Sequence, residues 1–206
     1  MIVLAVDSTF DNPFLPKLRG KYPDKPFGEI KIDFGNKTYS DASWQKICPV
    51  SGVADDTAPP IAPVALVNAS GVETNMVLSS AEGWRYGGNG PDTSVGFPDN
   101  LGSDYIYIGD SAGGAEFYDV DLYIDGLSKK KLYNLEIFAS RTTSTDKRVG
   151  YYTANGVYGS LDAADNIENT LLLENIAADE MGRLTLNVKT LDSNFAYLNA
   201  IVLRES

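Results

Sequence analysis

The chain has 206 residues, enough for one domain, or one domain with an arm, that buries a core without help from disulfides or metals. Its net charge of −11 repels phosphate backbones and argues against a nucleic-acid partner. It has no histidine and one cysteine, Cys48, which removes histidine-based catalysis, histidine-ligated metals and any internal disulfide.

No apolar run approaches the ~18 residues of a membrane span. The opening Ile2–Val6 run is too short for a secretion signal, is stopped by Asp7, and has no basic residue before it. The reading is a chain made in the cytoplasm without a signal peptide.

Residues 1–28 differ from the rest. Pro13, Pro16, Pro23 and Pro26 recur among Phe10, Phe14, Leu15, Leu18, Tyr22 and Phe27. Proline at that density excludes a helix or a central strand, yet the large apolar side chains are too many for a solvated tail. Two readings stay open: an extended arm wrapped on its own domain, or an arm docked on another subunit or a larger assembly, with Phe10, Phe14, Leu15, Leu18 and Tyr22 as its contacts.

From Glu29 the pattern is β. Ile30, Ile32 and Phe34 alternate with polar neighbours. Residues 49–63 read as loop, and short strands are expected near 64–68 and 72–79. A Gly-rich stretch, 83–102, carries Trp84, Arg85, Tyr86 and Phe97; loops this long are often functional. Strands follow at 104–109, 117–125, 132–139 and 147–155, the last closed by Asn155-Gly156. Further strands are expected at 170–176, 183–189 and 195–203. Segments 161–168 and 177–181 are the two places that allow a short helical turn. Nine or ten strands without a long helical segment, and without a fixed repeat, predict an antiparallel β-sandwich or jelly roll over 29–206.

Gly109-Asp110-Ser111-Ala112-Gly113-Gly114 matches the G-x-S-x-G nucleophile elbow. The elbow requires a helix after the serine and a histidine base. A strand pattern follows instead and histidine is absent, so the motif reads as a hairpin. Asp119 and Asp121 lie on one strand face with Cα atoms about 7 Å apart, a spacing within reach of a glycosidase pair; acids alternating on a solvated face are the commoner case. No catalytic residue is assigned and the chain is read as not an enzyme. No cofactor is expected. An oxygen-only calcium site is the one metal site the composition allows, with Asp33, Asp55, Asp56, Asp99 and Asp104 as carboxylates beside loops.

Sugars are held by flat aromatic faces and forked polar groups, because a pyranose has an apolar face and a rim of hydroxyls. Trp84, Arg85, Tyr86 and Asn89 supply this chemistry on one loop, and Arg141, Arg148, Tyr151 and Tyr152 supply more from neighbouring strands. The competing reading makes Trp44 and Trp84 core plugs.

The order Leu132-Tyr133-Asn134-Leu135-Glu136-Ile137-Phe138-Ala139-Ser140-Arg141, then Arg148-Val149-Gly150-Tyr151-Tyr152, then Tyr197-Leu198-Asn199-Ala200-Ile201 resembles the galactose-binding-like jelly rolls, malectin-like and carbohydrate-binding modules among them. Ile32-Asp33-Phe34-Gly35 and Trp44 fit the start of such modules. The resemblance spans about residues 29–204 and describes the framework rather than a ligand site. It implies a carbohydrate-binding-like sandwich in which Asn199 is a buried hydrogen bonder. The organisation, an arm ahead of a sandwich, resembles phage virion proteins: capsid decorations, head fibres and tail attachment modules. That implies a virion location, a capsid or tail partner, surface glycans as further ligands, and a homo-oligomer as one available state. A free-standing carbohydrate-binding module is the alternative, and a hydrolase the third.

Overall fold

Ile30, Ile32 and Phe34 are fully buried while Glu29 and Lys31 are only half-buried, so the first strand forms where the alternation predicts it. A computed structural model describes residues 27–35, 41–49, 59–88, 90–92, 94, 96–109, 119–190 and 193–206. Most of the Pro-rich arm, Asn89 and Ser111 lie outside the described residues.

Among these, the strands in chain order are β1 (Glu29–Asp33), β2 (Gln45–Lys46), β3 (Val64–Val67), β4 (Glu73–Ser80), β5 (Arg85–Gly87), β6 (Tyr105–Gly109) and β7 (Asp119–Asp125). They continue as β8 (Leu132–Phe138), β9 (Val149–Ala154), β10 (Val157–Asp162), β11 (Leu171–Ala177), β12 (Arg183–Thr190), β13 (Phe195–Leu198) and β14 (Ala200–Glu205). One 3-10 turn, Leu101–Ser103, precedes β6. The protein is all-β, and no helix among the described residues is long and apolar enough to cross a membrane.

Two sheets face each other. One has the order β11-β8-β14-β1-β2 and the other β10-β9-β12-β7-β4-β3; a third, β13-β6-β5, closes one end. Pairing is antiparallel except between β1 and β2. The core lies between the two large sheets. Leu135, Ile137, Ile201 and Leu203 meet Val120, Leu122, Ile124, Leu184, Leu186 and Val188 there, the inward positions of strands whose partners point to solvent.

The alternation also fixes what lies outside. Asp119 and Tyr123 stand opposite Lys189 and Thr185 on the outer face of the six-stranded sheet. On the outer face of the five-stranded sheet, Trp44, Leu101, Phe138, Ala200 and Val202 form a second small cluster. Phe97 caps it, its ring 4.9 Å from Phe138.

Three expectations change. Leu161 and Asp162 belong to β10 rather than to a helical turn, because Asn155-Gly156 folds the chain back on β9 and extends the ladder to Asp162↔Val149. Gly156 takes a φ of +93° in that turn, a conformation that glycine adopts without strain. Residues 177–181 form no helical turn: β11 ends at Ala177, and Asp179 closes a tight turn onto Met181 and Arg183. The closing strand is two strands, β13 and β14, broken at Asn199, where the chain leaves the small sheet for the five-stranded one.

The sandwich has two distinct ends. β1 begins and β14 finishes at the entry end. There the side chain of Asn68 donates to the Phe27 carbonyl at 3.0 Å, and Ser206 donates to the Leu132 carbonyl at 2.9 Å. The far end holds the finish of β8, the starts of β9 and β14, and the small third sheet.

Candidate functional site

The third sheet pairs Tyr197 with Tyr107 and Phe195 with Gly109, while Gly87 lies opposite Tyr105. Residues directly opposite share a face, so Tyr105, Tyr107, Phe195 and Tyr197 gather on one side of it. Gly87 is required: a Cβ there would lie 2.4 Å from the Tyr105 ring. Tyr107 and Tyr197 stack at 5.9 Å, Phe195 lies 6.1 Å from Tyr107, and Tyr105 meets Tyr197 edge-on at 4.9 Å. Tyr105 and Tyr197 are buried; Tyr107 and Phe195 are half-exposed.

Arg148, just before β9, reaches over this patch. Its guanidinium carbon lies 4.4 Å from the Phe195 ring centre, within cation–π range. Nη1 donates to the Tyr197 hydroxyl at 2.8 Å, and Nε pairs with the exposed Asp146 carboxylate at 3.0 Å. Burial raises the Tyr197 pKa, with the nearby Arg148 and Arg141 cations pulling the other way. The hydroxyl keeps its proton at neutral pH. The site thus offers two half-buried aromatic rings, one of them under the Arg148 guanidinium, and the Asp146 carboxylate beside it. These groups suit a polyol with one apolar face.

Several expected site residues converge here. Tyr152 is buried under the patch and donates its hydroxyl to the Tyr197 carbonyl at 2.6 Å. Arg141, near the start of the β8–β9 connection, acts electrostatically on Tyr197. Arg85 lies opposite Tyr107, on the patch side of the sheet, but is buried there, and its Nη1 donates to the Gly109 carbonyl at 3.0 Å. Tyr152 and Arg85 therefore brace the patch and present no surface to a ligand, a correction to their expected contact role.

Trp84 and Tyr86 are placed elsewhere. Trp84 has 0% exposure and belongs to the main core, so its face is not available to a sugar; the core-plug reading is the right one. Trp44 plugs the second cluster. Tyr86 points away from Arg85, as neighbours on a strand do, and donates to Asp104 Oδ2 at 3.0 Å. Tyr151 lies on β9, one residue from Tyr152, and so on the opposite face.

The paired acids also have partners. Asn187 donates to both Asp119 and Asp121, and Lys189 pairs with Asp119 at 2.9 Å. The hydrogen bond from Asn187 and then that from Lys189 hold the Asp119 carboxyl below its ordinary value. Asp119 is not poised as a proton donor near neutral pH. Asp33 and Asp104 are buried and Asp99 is exposed; Asp55 and Asp56 lie outside the described residues. No group of three or more metal-ligating side chains occurs among the described residues.

The sequence reading missed Tyr105, Tyr107, Phe195 and Tyr197 as site residues. The alternation of aromatics in Tyr105-Ile106-Tyr107 and Phe195-Ala196-Tyr197 was the available signal. Which strand pairs with which is a long-range fact that alternation does not carry.

No family model matches the chain, and no curated protein matches it. Among solved structures it is similar to a GH26-CBM35 β-(1,4)-mannanase of Podospora anserina, at 19% identity and TM-score 0.35 over 64% of this chain and 28% of that one. It is similar too to an exo-β-1,3-galactanase of Phanerochaete chrysosporium, at 17% identity and TM-score 0.31 over 68% of this chain and 36% of that one. A ruminal GH26 endo-β-1,4-mannanase aligns at 12% identity and TM-score 0.28 over 56% of this chain. The chain spans about a quarter to a third of the length of these structures. A likeness this weak assigns no activity or ligand.

Proposed function

We propose that this chain is a non-catalytic binding protein that takes a saccharide at the Tyr107–Phe195–Arg148 patch. The observation that carries this reading is the patch itself: half-buried aromatic rings under a guanidinium held in place by Tyr197 and Asp146. A forked donor and a carboxylate acceptor at an aromatic face match the ring and hydroxyls of a pyranose. The absence of histidine from the chain and the engagement of Asp119 and Asp121 by Asn187 support a binding rather than a hydrolytic role.

The patch lies at the far end, and residue 27 joins the sandwich at the entry end. A module tethered by residues 1–28 would point its patch outward. This arrangement supports the proposal that the protein is displayed on a virion, as a capsid decoration, head fibre or tail attachment module, and reaches surface glycans from there.

A glycan array tests the first part. The wild-type protein is expected to bind a defined glycan set, and Phe195→Ala and Tyr107→Ala to lose it while remaining folded at the assay temperature, as circular dichroism checks. Undiminished binding by both variants overturns the patch as the site. Size fractionation of the native source tests the second part. Sedimentation with a megadalton particle at fixed stoichiometry supports display, and recovery only as a small soluble species overturns it.

A further inference from the structure

The chain holds two Asn-Gly pairs, Asn89-Gly90 and Asn155-Gly156. In this dipeptide the backbone nitrogen of the glycine has an unhindered approach to the carbonyl carbon of the asparagine side chain, because glycine has no side chain in the way. Such a pair is prone to lose ammonia and become an acid. Asn155-Gly156 is the two-residue turn between β9 and β10, with φ of +44° and +93°, the left-handed backbone that a tight hairpin requires. The turn is exposed, yet the Asn155 amide is fully engaged. Nδ2 donates to the Ala177 carbonyl at 2.8 Å and to the Arg183 carbonyl at 2.9 Å, and Oδ1 accepts from the Thr185 backbone amide at 2.9 Å. These partners lie at the end of β11 and on β12. In the sheet order β10-β9-β12, the amide therefore reaches to one side of β9 while Gly156 leads the chain to the other.

We propose that Asn155 is a modification site that the fold keeps shut. Its amide is protected from deamidation while these three hydrogen bonds hold, and open to it whenever the β9–β10 turn comes away from β12. In the reaction the Gly156 nitrogen bonds to Cγ of Asn155 and gives up its proton to water, and the side-chain nitrogen leaves as ammonia. Water then opens the cyclic imide to aspartate or isoaspartate, so no oxidant or cofactor takes part. To bring Cγ against that nitrogen the amide must leave all three partners together, which ties the step to local opening. The product does not restore what was lost. A carboxylate keeps an acceptor for Thr185 but has no hydrogen to give to the Ala177 and Arg183 carbonyls, and its charge faces their oxygens. In isoaspartate the main chain of the turn also gains a methylene. Conversion thus unties the β9–β10 turn from β11 and β12 and makes the next opening easier. The inference is independent of the saccharide reading.

The test compares the full chain in its native state with the same chain unfolded in guanidinium chloride, the unfolding checked by circular dichroism. Both are held at mildly alkaline pH, and conversion at residue 155 is followed by tandem peptide mass spectrometry. In the unfolded chain Asn155 is expected to convert at a rate close to that of Asn89, since both are followed by glycine. In the native chain Asn155 is expected to convert about ten-fold more slowly, or slower still, than in the unfolded one. Equal rates in the two states overturn the inference, and so does an Asn155 that stays intact in the unfolded chain while Asn89 converts. Asn155→Asp, the product made directly, is expected to melt below the wild type. An unchanged melting temperature overturns the claim that conversion loosens the turn.

Discussion

The Arg148 guanidinium lies over the Phe195 ring, 4.4 Å from its centre, while Nη1 donates to the Tyr197 hydroxyl at 2.8 Å. The planar fork is needed for both at once. Lysine has a compact charge and cannot stack. Arg148→Ala is expected to lower stability by about 1–2 kcal/mol, and Arg148→Lys to recover less than half of that in urea denaturation. Full recovery by lysine would mean that charge alone matters at this position.

Trp84 is fully buried in the main core. Trp84→Ala leaves a cavity and is expected to cost about 3–5 kcal/mol. Its indole Nε1 makes no hydrogen bond among the described residues, so Trp84→Phe loses volume but no hydrogen bond. Thermal unfolding should show phenylalanine costing well under half of what alanine does. Equal losses would point to a partner for the indole nitrogen.

Asn199 holds the junction between the small sheet and the five-stranded one. Its side-chain amide donates to the Gly102 and Asp104 carbonyls at 2.8 and 3.1 Å and accepts from the Ser140 amide at 2.6 Å. Asn199→Ala leaves these buried backbone groups without that partner. A loss of about 3 kcal/mol or more is expected. A loss under 1 kcal/mol in chemical denaturation would show that water replaces the amide.

Glu29 is held below its ordinary pKa of 4.5, chiefly by the hydrogen bond from Arg204 and, against the cost of burial, by Lys31. A depressed folded-state value means the pairing stabilises the protein above the unfolded pKa and fades as pH falls through the folded one. The melting-temperature gap between wild type and Glu29→Gln is therefore expected to be present at pH 7 and to close below about pH 4. A gap that is unchanged across that range would locate the effect in packing rather than charge.

The sequence revealed strands better than partners. Val120, Leu122 and Ile124 on β7, and Leu184, Leu186 and Val188 on β12, are inward as their alternation requires. The resemblance placed Asn199 correctly as a buried hydrogen bonder, but one continuous strand was expected where the chain changes sheets there. The site was half legible. Arg141, Arg148 and Tyr152 all lie around Tyr197, the first two on the β8–β9 connection and the third on β9. Trp84 and Tyr86 do not join them. Trp84 belongs to the core, and strand alternation turns Tyr86 away from Arg85. An aromatic residue reads alike in a core and in a binding face. Only the pairing of β6 with β13 separates the two uses.

The opposed ends have a mechanical consequence. A pull applied through residue 27 and resisted at Phe195 runs lengthwise along β1. Its five rungs to β14, from Glu29↔Arg204 to Asp33↔Ala200, then carry load in shear, all at once. Pulled instead between residue 27 and Ser206, which share the entry end, the same two strands would open one rung at a time. The sandwich is therefore strong in the direction from tether to patch, and weaker between its own two chain ends.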